Sequence, residues 1–260
     1  MNFSCKSRRA GLTLIELVVV LVILAAIAAL VLPRVSGIST QSAYATNASI
    51  VADVNNAVSM YETRNNGKHP VGWDSLLNTT DAYFTKLNPK LTGASPALLQ
   101  IATLDDGQSK SLQDAGIAGF HDADESRVAS PSDNSTVFRF LSSGKKVVTL
   151  VKTPIASGHG STLIDNALNI NQYKSNWNNE FVVCGLGGPT GLKGSAMREI
   201  PLVQSAEPTK YYSRVLCVYM IPAAGATTTF PAQYVGCFLP DGTSLRQNVD
   251  KFNTADVPVN

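Results

Sequence analysis

Arg8-Arg9-Ala10-Gly11-Leu12-Thr13-Leu14-Ile15-Glu16-Leu17-Val18-Val19-Val20 decides how this chain is read. A basic leader ends in glycine, and an apolar run begins at once and continues to Leu32. One carboxylate, Glu16, interrupts it. Leu12 to Leu32 has the length and the all-round apolarity of a bilayer span, which needs about 20 residues. An acid at the centre of such a span costs roughly 2.5–3.5 kcal/mol, so Glu16 calls for a partner and a function. Lys6, Arg8 and Arg9 set the amino end on the cytoplasmic side. A secretory signal peptide has a shorter apolar core, about 7–15 residues, with its small-residue cleavage site after the core. Here the glycine precedes the run. A plain single-span anchor explains the length but not Gly11 and Glu16 together.

This run resembles the type III signal of the type IV pilin superfamily, which includes pilins, type II secretion pseudopilins and competence pseudopilins. Gly11 stands where the prepilin peptidase cuts, and Leu12 becomes the mature amino terminus that the family methylates. Glu16 falls at the fifth mature position, where the family carries its glutamate, and Pro33 falls where many members carry a helix-bending proline. The resemblance implies a filament subunit in which Glu16 meets the Leu12 amine of a neighbouring protomer. Away from water such a pair attracts strongly, and an unpaired acid is penalised. It also implies a single-pass bacterial inner-membrane precursor, with its carboxyl-terminal domain periplasmic or displayed on a filament. The partners implied are other subunits in a homo- or hetero-filament, the peptidase, an inner-membrane assembly platform and an ATPase.

Composition fits that outline. Of 260 residues, 44% are hydrophobic and 15% charged, as in a folded domain with a membrane segment added. The net charge is +2, and without the three leader cations the mature chain has 18 basic against 19 acidic residues, net −1. No basic field remains to attract nucleic acid. Three organisational parts follow: leader 1–11, a long helix 12–64 with its membrane segment 12–32, and a globular domain 65–260. Pro33 removes one helical hydrogen bond and bends the rod without ending it. Ile50, Val51, Val54, Val58 and Tyr61 then recur at spacings of three and four, a single apolar stripe for a domain to cover.

Asn65-Asn66-Gly67-Lys68-His69-Pro70 ends the helix, with Gly67 suited to a left-handed cap. Tyr61, this turn, Trp73 and Leu76-Leu77 also resemble the major-pseudopilin pattern, in which the turn leads to a short leucine-bearing helix; His69 stands in place of the usual tyrosine. Short helices are expected at 96–104 and 109–117. Strands are expected at 136–141, 146–152, 180–184, 211–221 and 233–239, where β-branched and aromatic residues alternate with turn formers. The fold expected is α+β, a long amino-terminal helix packed on an antiparallel sheet, with a frayed tail from Thr254.

Cys5 leaves with the leader, and Cys184, Cys217 and Cys237 remain, an odd number. Cys217 and Cys237 sit in neighbouring strand-like runs and suit a cross-strand bridge. Cys184 competes for either partner, and three thiols without a bridge is the third arrangement.

Enzyme signals fail one by one. His159 beside Ser161 is no triad, and the glycines from Gly185 to Gly191 depart from a dinucleotide fingerprint. His121, Asp122, Asp124 and Glu125 gather oxygen ligands but fit no calcium loop, and read as a solvated acidic loop. Asp241, Asp250 and Asp256 lie where major pseudopilins often bind calcium but match no ligand spacing, so no metal or other cofactor is expected. Lys145-Lys146 and the run from Lys193 to Arg198 read as solvated basic faces. The reading is therefore a non-enzymatic filament subunit, most closely a type II secretion pseudopilin. The alternatives are a minor, adhesive or DNA-uptake pilin, or a membrane-anchored binding domain that does not polymerise.

Overall fold

A 51-residue helix, α1 (Leu14–Arg64), runs out of an eight-stranded sheet in the computed structural model of the protein. The structure describes residues 14–78, 81–93, 97–122, 137–151, 179–203, 207 and 210–254, without the side chains of 30–37. The backbone stays helical through Pro33 and Gly37. It ends as the turn chemistry requires: Asn66 and Gly67 take φ of 53° and 77°, and the Gly67 amide donates to the Glu62 carbonyl at 2.8 Å. That bond reaches back five residues and closes the last turn.

The strands are β1 (Trp73–Asp74), β2 (Leu99–Thr103), β3 (Gly119–His121), β4 (Phe138–Phe140), β5 (Lys146–Leu150), β6 (Glu180–Gly185), β7 (Leu216–Ile221) and β8 (Gln233–Phe238). β8, β7 and β6 lie side by side. Beyond β6 the sheet forks: β5 and β2 continue from its middle, while β1, β3 and β4 continue from its carboxyl end at Gly185. All pairings are antiparallel except β1 with β3. The helices besides α1 are α2 (Pro89–Thr92), α3 (Asp106–Asp114) and α4 (Leu245–Thr254), with a 3-10 turn at Ala82–Lys86.

Each sheet face has its own core. Along β7, Cys217, Tyr219 and Ile221 join the cluster beneath α1, and Leu216, Val218 and Met220 join the opposite one, as a period of two demands. The α1 stripe is seated in the first cluster: Val51, Val54 and Val58 are fully buried, and Ile50 and Tyr61 pack beside them. The opposite cluster is closed by Leu76, Leu77, Tyr83, Leu87 and Leu91 from the segment after β1.

Several expectations are corrected. The 96–104 segment forms β2, not a helix, because its register against β5 gives every residue from Leu99 to Thr103 a partner. No helix forms at Leu76-Leu77: Leu76 has φ of 59°, a left-handed conformation that breaks the helical path, and both leucines are buried. β7 begins at Leu216 rather than 211, after Tyr212 has turned to meet Asp74. The sheet is mostly, not wholly, antiparallel. Before Thr254 the chain forms α4, started by a reciprocal cap: Ser244 Oγ accepts from the Gln247 amide, and Gln247 Oε1 accepts from the Ser244 amide, both at 3.1 Å.

Candidate functional site

Every described side chain from Leu14 to Ala29 is exposed. Leu17, Val18, Val19, Val20 and Leu21 are consecutive and between 47% and 57% exposed, so all sides of the helix are bare, not one face. A lone Leu on a surface needs no explanation; a continuous apolar rod does. Glu16 lies in the first turn of this rod, where a carboxylate suits the positive end of the helix. Gly11 and Leu12 lie outside the described residues. Pro33 lies within α1, its side chain also outside the description. Among the described residues no helix is long and apolar enough to cross a membrane.

The lower half of α1 is fastened from several directions. Tyr234 Oη donates to Asn55 Oδ1 at 2.8 Å, and Arg64 Nη1 donates to the Ser195 carbonyl at 2.8 Å. His69 is buried, with Nδ1 2.7 Å from Glu62 Oε1 at ion-pair distance, though not aligned for a hydrogen bond. Its Nε2 carries a proton, because its partner at 2.9 Å, the Ala232 carbonyl, can only accept. The imidazole also meets Tyr219 edge to face. α4 lies along α1, and Lys251 stands 5.6 Å from the Tyr44 ring centroid, over its face.

One polar group of the domain went unread in the sequence. Asp74, at the end of β1, accepts from Tyr212 Oη at 2.8 Å. Burial raises its carboxyl from 3.8 to about 6, opposed by the Tyr212 hydrogen bond and by the Arg214 charge. Burial likewise pushes the Tyr212 phenol well above its ordinary value. The glycines beside it explain the Gly185–Gly191 run. A Cβ at Gly187 would lie 2.1 Å from Asp74 Oδ1, and one at Gly185 would lie 1.9 Å from Tyr212 Oη. Those glycines make room for protein side chains rather than for a phosphate.

The acidic loop is corrected in part. Asp122 is buried; Arg139 Nη2 donates to its Oδ2 at 2.7 Å, and Arg139 Nε stands 2.6 Å from its Oδ1 at ion-pair distance, not aligned for a hydrogen bond. Residues 123–125, His159 with its neighbours, and Asp256 lie outside the described residues. Asp241 Oδ1 accepts from the Thr243 amide and hydroxyl, a local turn. No group of three His, Cys, Asp or Glu side chains able to hold a metal occurs among the described residues. Cys184, Cys217 and Cys237 are free, buried thiols, so the Cys217–Cys237 bridge is not made in this structure.

Residues 6–32 match the family model described as the prokaryotic N-terminal methylation motif, the type IV pilin and pseudopilin prepilin signal. Neither the curated proteins nor the solved structures gave a match. The motif supports a structural, pilin-like subunit and implies processing by a prepilin peptidase and filament assembly.

Proposed function

We propose that the chain is a subunit of a type IV pilus-like filament, most closely a type II secretion pseudopilin. The observation that carries this reading is the prepilin motif at 6–32 continuing into a helix whose upper half is bare on every side. Leu12–Leu32 crosses the inner membrane in the precursor; the sequence supports this through its length and apolarity. The peptidase cuts after Gly11, and the new Leu12 amine is methylated. Assembly transfers the apolar rod from lipid to the filament core, where Glu16 faces the Leu12 amine of the next protomer. Ala25, Ala26, Ala28 and Ala29 let neighbouring helix backbones approach closely. An assembly platform and a separate ATPase supply the work, since the sequence has no nucleotide-binding loop.

The helix-ending turn from Gly67 to Pro70 favours the secretion assignment. A minor, adhesive or DNA-uptake pilin is the second reading, favoured by a domain that occupies residues 65–260. Mass spectrometry of the mature amino terminus tests the shared part: a methylated terminus at Leu12 is expected, and an intact leader or a cut beyond Leu32 overturns it. Glu16→Ala is expected to insert and be cleaved but not to polymerise, and normal filaments from that variant would refute the role given to Glu16. Deleting the gene separates the two readings by whether protein export or surface pili are lost.

A further inference from the structure

Three thiols line up across three neighbouring strands. Cys184 of β6 stands opposite Cys217 of β7, and Cys217 stands opposite Cys237 of β8. All three are buried in the core beneath α1, so they project from the same face of the sheet. Residues directly opposite in an antiparallel pair have Cα atoms roughly 4.5–5.5 Å apart, inside the range a disulfide spans. Cys184 and Cys237 are two strands apart, roughly 10 Å, which is outside it. The register therefore leaves Cys217 as a member of either pair that can form.

The side chains separate those two pairs. The Cys184 Sγ is directed at the Cys217 carbonyl oxygen, 3.7 Å away, and not at the sulfur. Cys217 and Cys237 stand directly opposite one another on β7 and β8, and no backbone oxygen of Cys217 engages the Cys237 sulfur in the contacts described for it. Cys237 Sγ also touches α1, 3.6 Å from the Val51 carbonyl and 3.5 Å from Asn55 Oδ1. We propose that Cys217 and Cys237 join in a cross-strand disulfide while the exported chain folds, and that Cys184 remains a thiol. The pair loses two protons and two electrons to a disulfide-bearing donor protein, which leaves as the dithiol; the S–S bond forms through a mixed disulfide on one cysteine, attacked by the thiolate of the other. The reaction belongs to folding because the finished sheet shuts it off. Both sulfurs are buried, and burial pushes the Cys217 thiol well above its ordinary value, so little attacking thiolate exists there once the domain has closed. The link ties β7 to β8 directly under the seat of α1.

The export step rests on the filament reading above, and the test keeps the two apart. The full chain is taken from export-competent cells with thiols alkylated at lysis, digested without reductant and mapped by mass spectrometry. The expected result is one linked peptide pair holding Cys217 and Cys237, lighter by two hydrogens than the separate peptides, with Cys184 alone alkylated. A Cys184–Cys217 link overturns the proposal. In parallel, the full chain is synthesised without cells, in detergent micelles with oxidised and reduced glutathione. A Cys217–Cys237 link there, with Cys184, Cys217 and Cys237 all alkylated in the cellular sample, supports the pairing and counts against export. Free thiols at all of Cys184, Cys217 and Cys237 in the glutathione sample overturn the pairing and leave the filament reading standing.

Discussion

Asp74→Asn should remove a pH dependence of stability that the wild-type chain carries through one carboxyl group. In the folded chain this group has its pKa raised from 3.8 to about 6, chiefly by burial. A raised acid binds its proton more tightly folded than unfolded, so its contribution favours the fold at low pH. That contribution is fully present below the unfolded value of 3.8 and is lost as pH rises through about 6. At 1.36 kcal/mol per pH unit the full difference is about 3 kcal/mol. Asp74 keeps partial solvent contact, which screens the effect, so ~1–2 kcal/mol is the expectation. Asparagine keeps the shape and an oxygen to accept from Tyr212, and never ionises. Urea denaturation of the detergent-solubilised full chain, wild type beside variant, at steps from pH 4 to 8 reads the difference directly. Other titrating groups cancel in that comparison. The variant should match the wild type near pH 4, exceed it increasingly as the pH rises to about 6, and keep a constant advantage above that. A difference that is constant with pH, or that runs the other way, refutes the account of Asp74 as a carboxylate held at a desolvation cost.

Two further substitutions probe the same domain. Gly187→Ala places a methyl 2.1 Å from Asp74 Oδ1, and the neighbour is held by Tyr212, so a loss of about 1–3 kcal/mol is expected as a lowered thermal midpoint; an unchanged midpoint would show that the carboxylate shifts freely. Arg139→Ala removes the ion-pair partner of buried Asp122; because the arginine is 34% exposed, the loss should be about 1–3 kcal/mol rather than the full cost of breaking a buried pair, measured by the same denaturation, and an unchanged midpoint would show that the pair contributes nothing to the fold.

What the sequence told and withheld follows from the range of each signal. α1 was readable because its evidence is local and periodic: the apolar run, the stripe from Ile50 to Tyr61, and the Asn66-Gly67 stop. β4, β5, β6 and β8 were readable from runs rich in β-branched and aromatic residues. β1 has only two residues and is held by partners at Phe120, His121 and Gly185, far along the chain, so no local pattern could announce it. β2 was misread because Leu98, Leu99, Ile101 and Leu104 happen to suit a helical spacing; pairing with β5 overrode it. α4 did carry a readable signal, Ser244 followed three residues later by Gln247, and the prolines and glycine around it hid that cap. Asp74 could not have been singled out, since the burial that raises its pKa, and the Tyr212 hydroxyl and Arg214 charge that oppose it, are brought around it only by the fold. The acidic character of His121–Glu125 was legible, but the partner of Asp122 was not, because Arg139 is in the neighbouring strand.

The two halves of α1 differ in what they are free to do. From Leu14 to Ala29 nothing in the described domain covers the helix. From Asn47 to Val58 it is core: Val51, Val54 and Val58 are fully buried, and Asn47 and Ala57 nearly so. Burying three valines is worth roughly 5–9 kcal/mol at about 1.5–3 kcal/mol each, before any hydrogen bond is counted. A domain has only about 5–15 kcal/mol of net stability. Lifting the lower half of α1 from its seat would therefore cost an amount comparable to unfolding the domain, and it would also break the Asn55–Tyr234, Arg64–Ser195 and Glu62–His69 contacts. These three fastenings come from β8, from the loop after β6 and from the turn that ends the helix, so no single loop movement releases them together. The lower half is part of the fold. Only the upper half, with Glu16 in its first turn, is available to another molecule, and any pull on it is carried into the sheet at Val51 and Asn55, where β8 and Cys237 meet the helix.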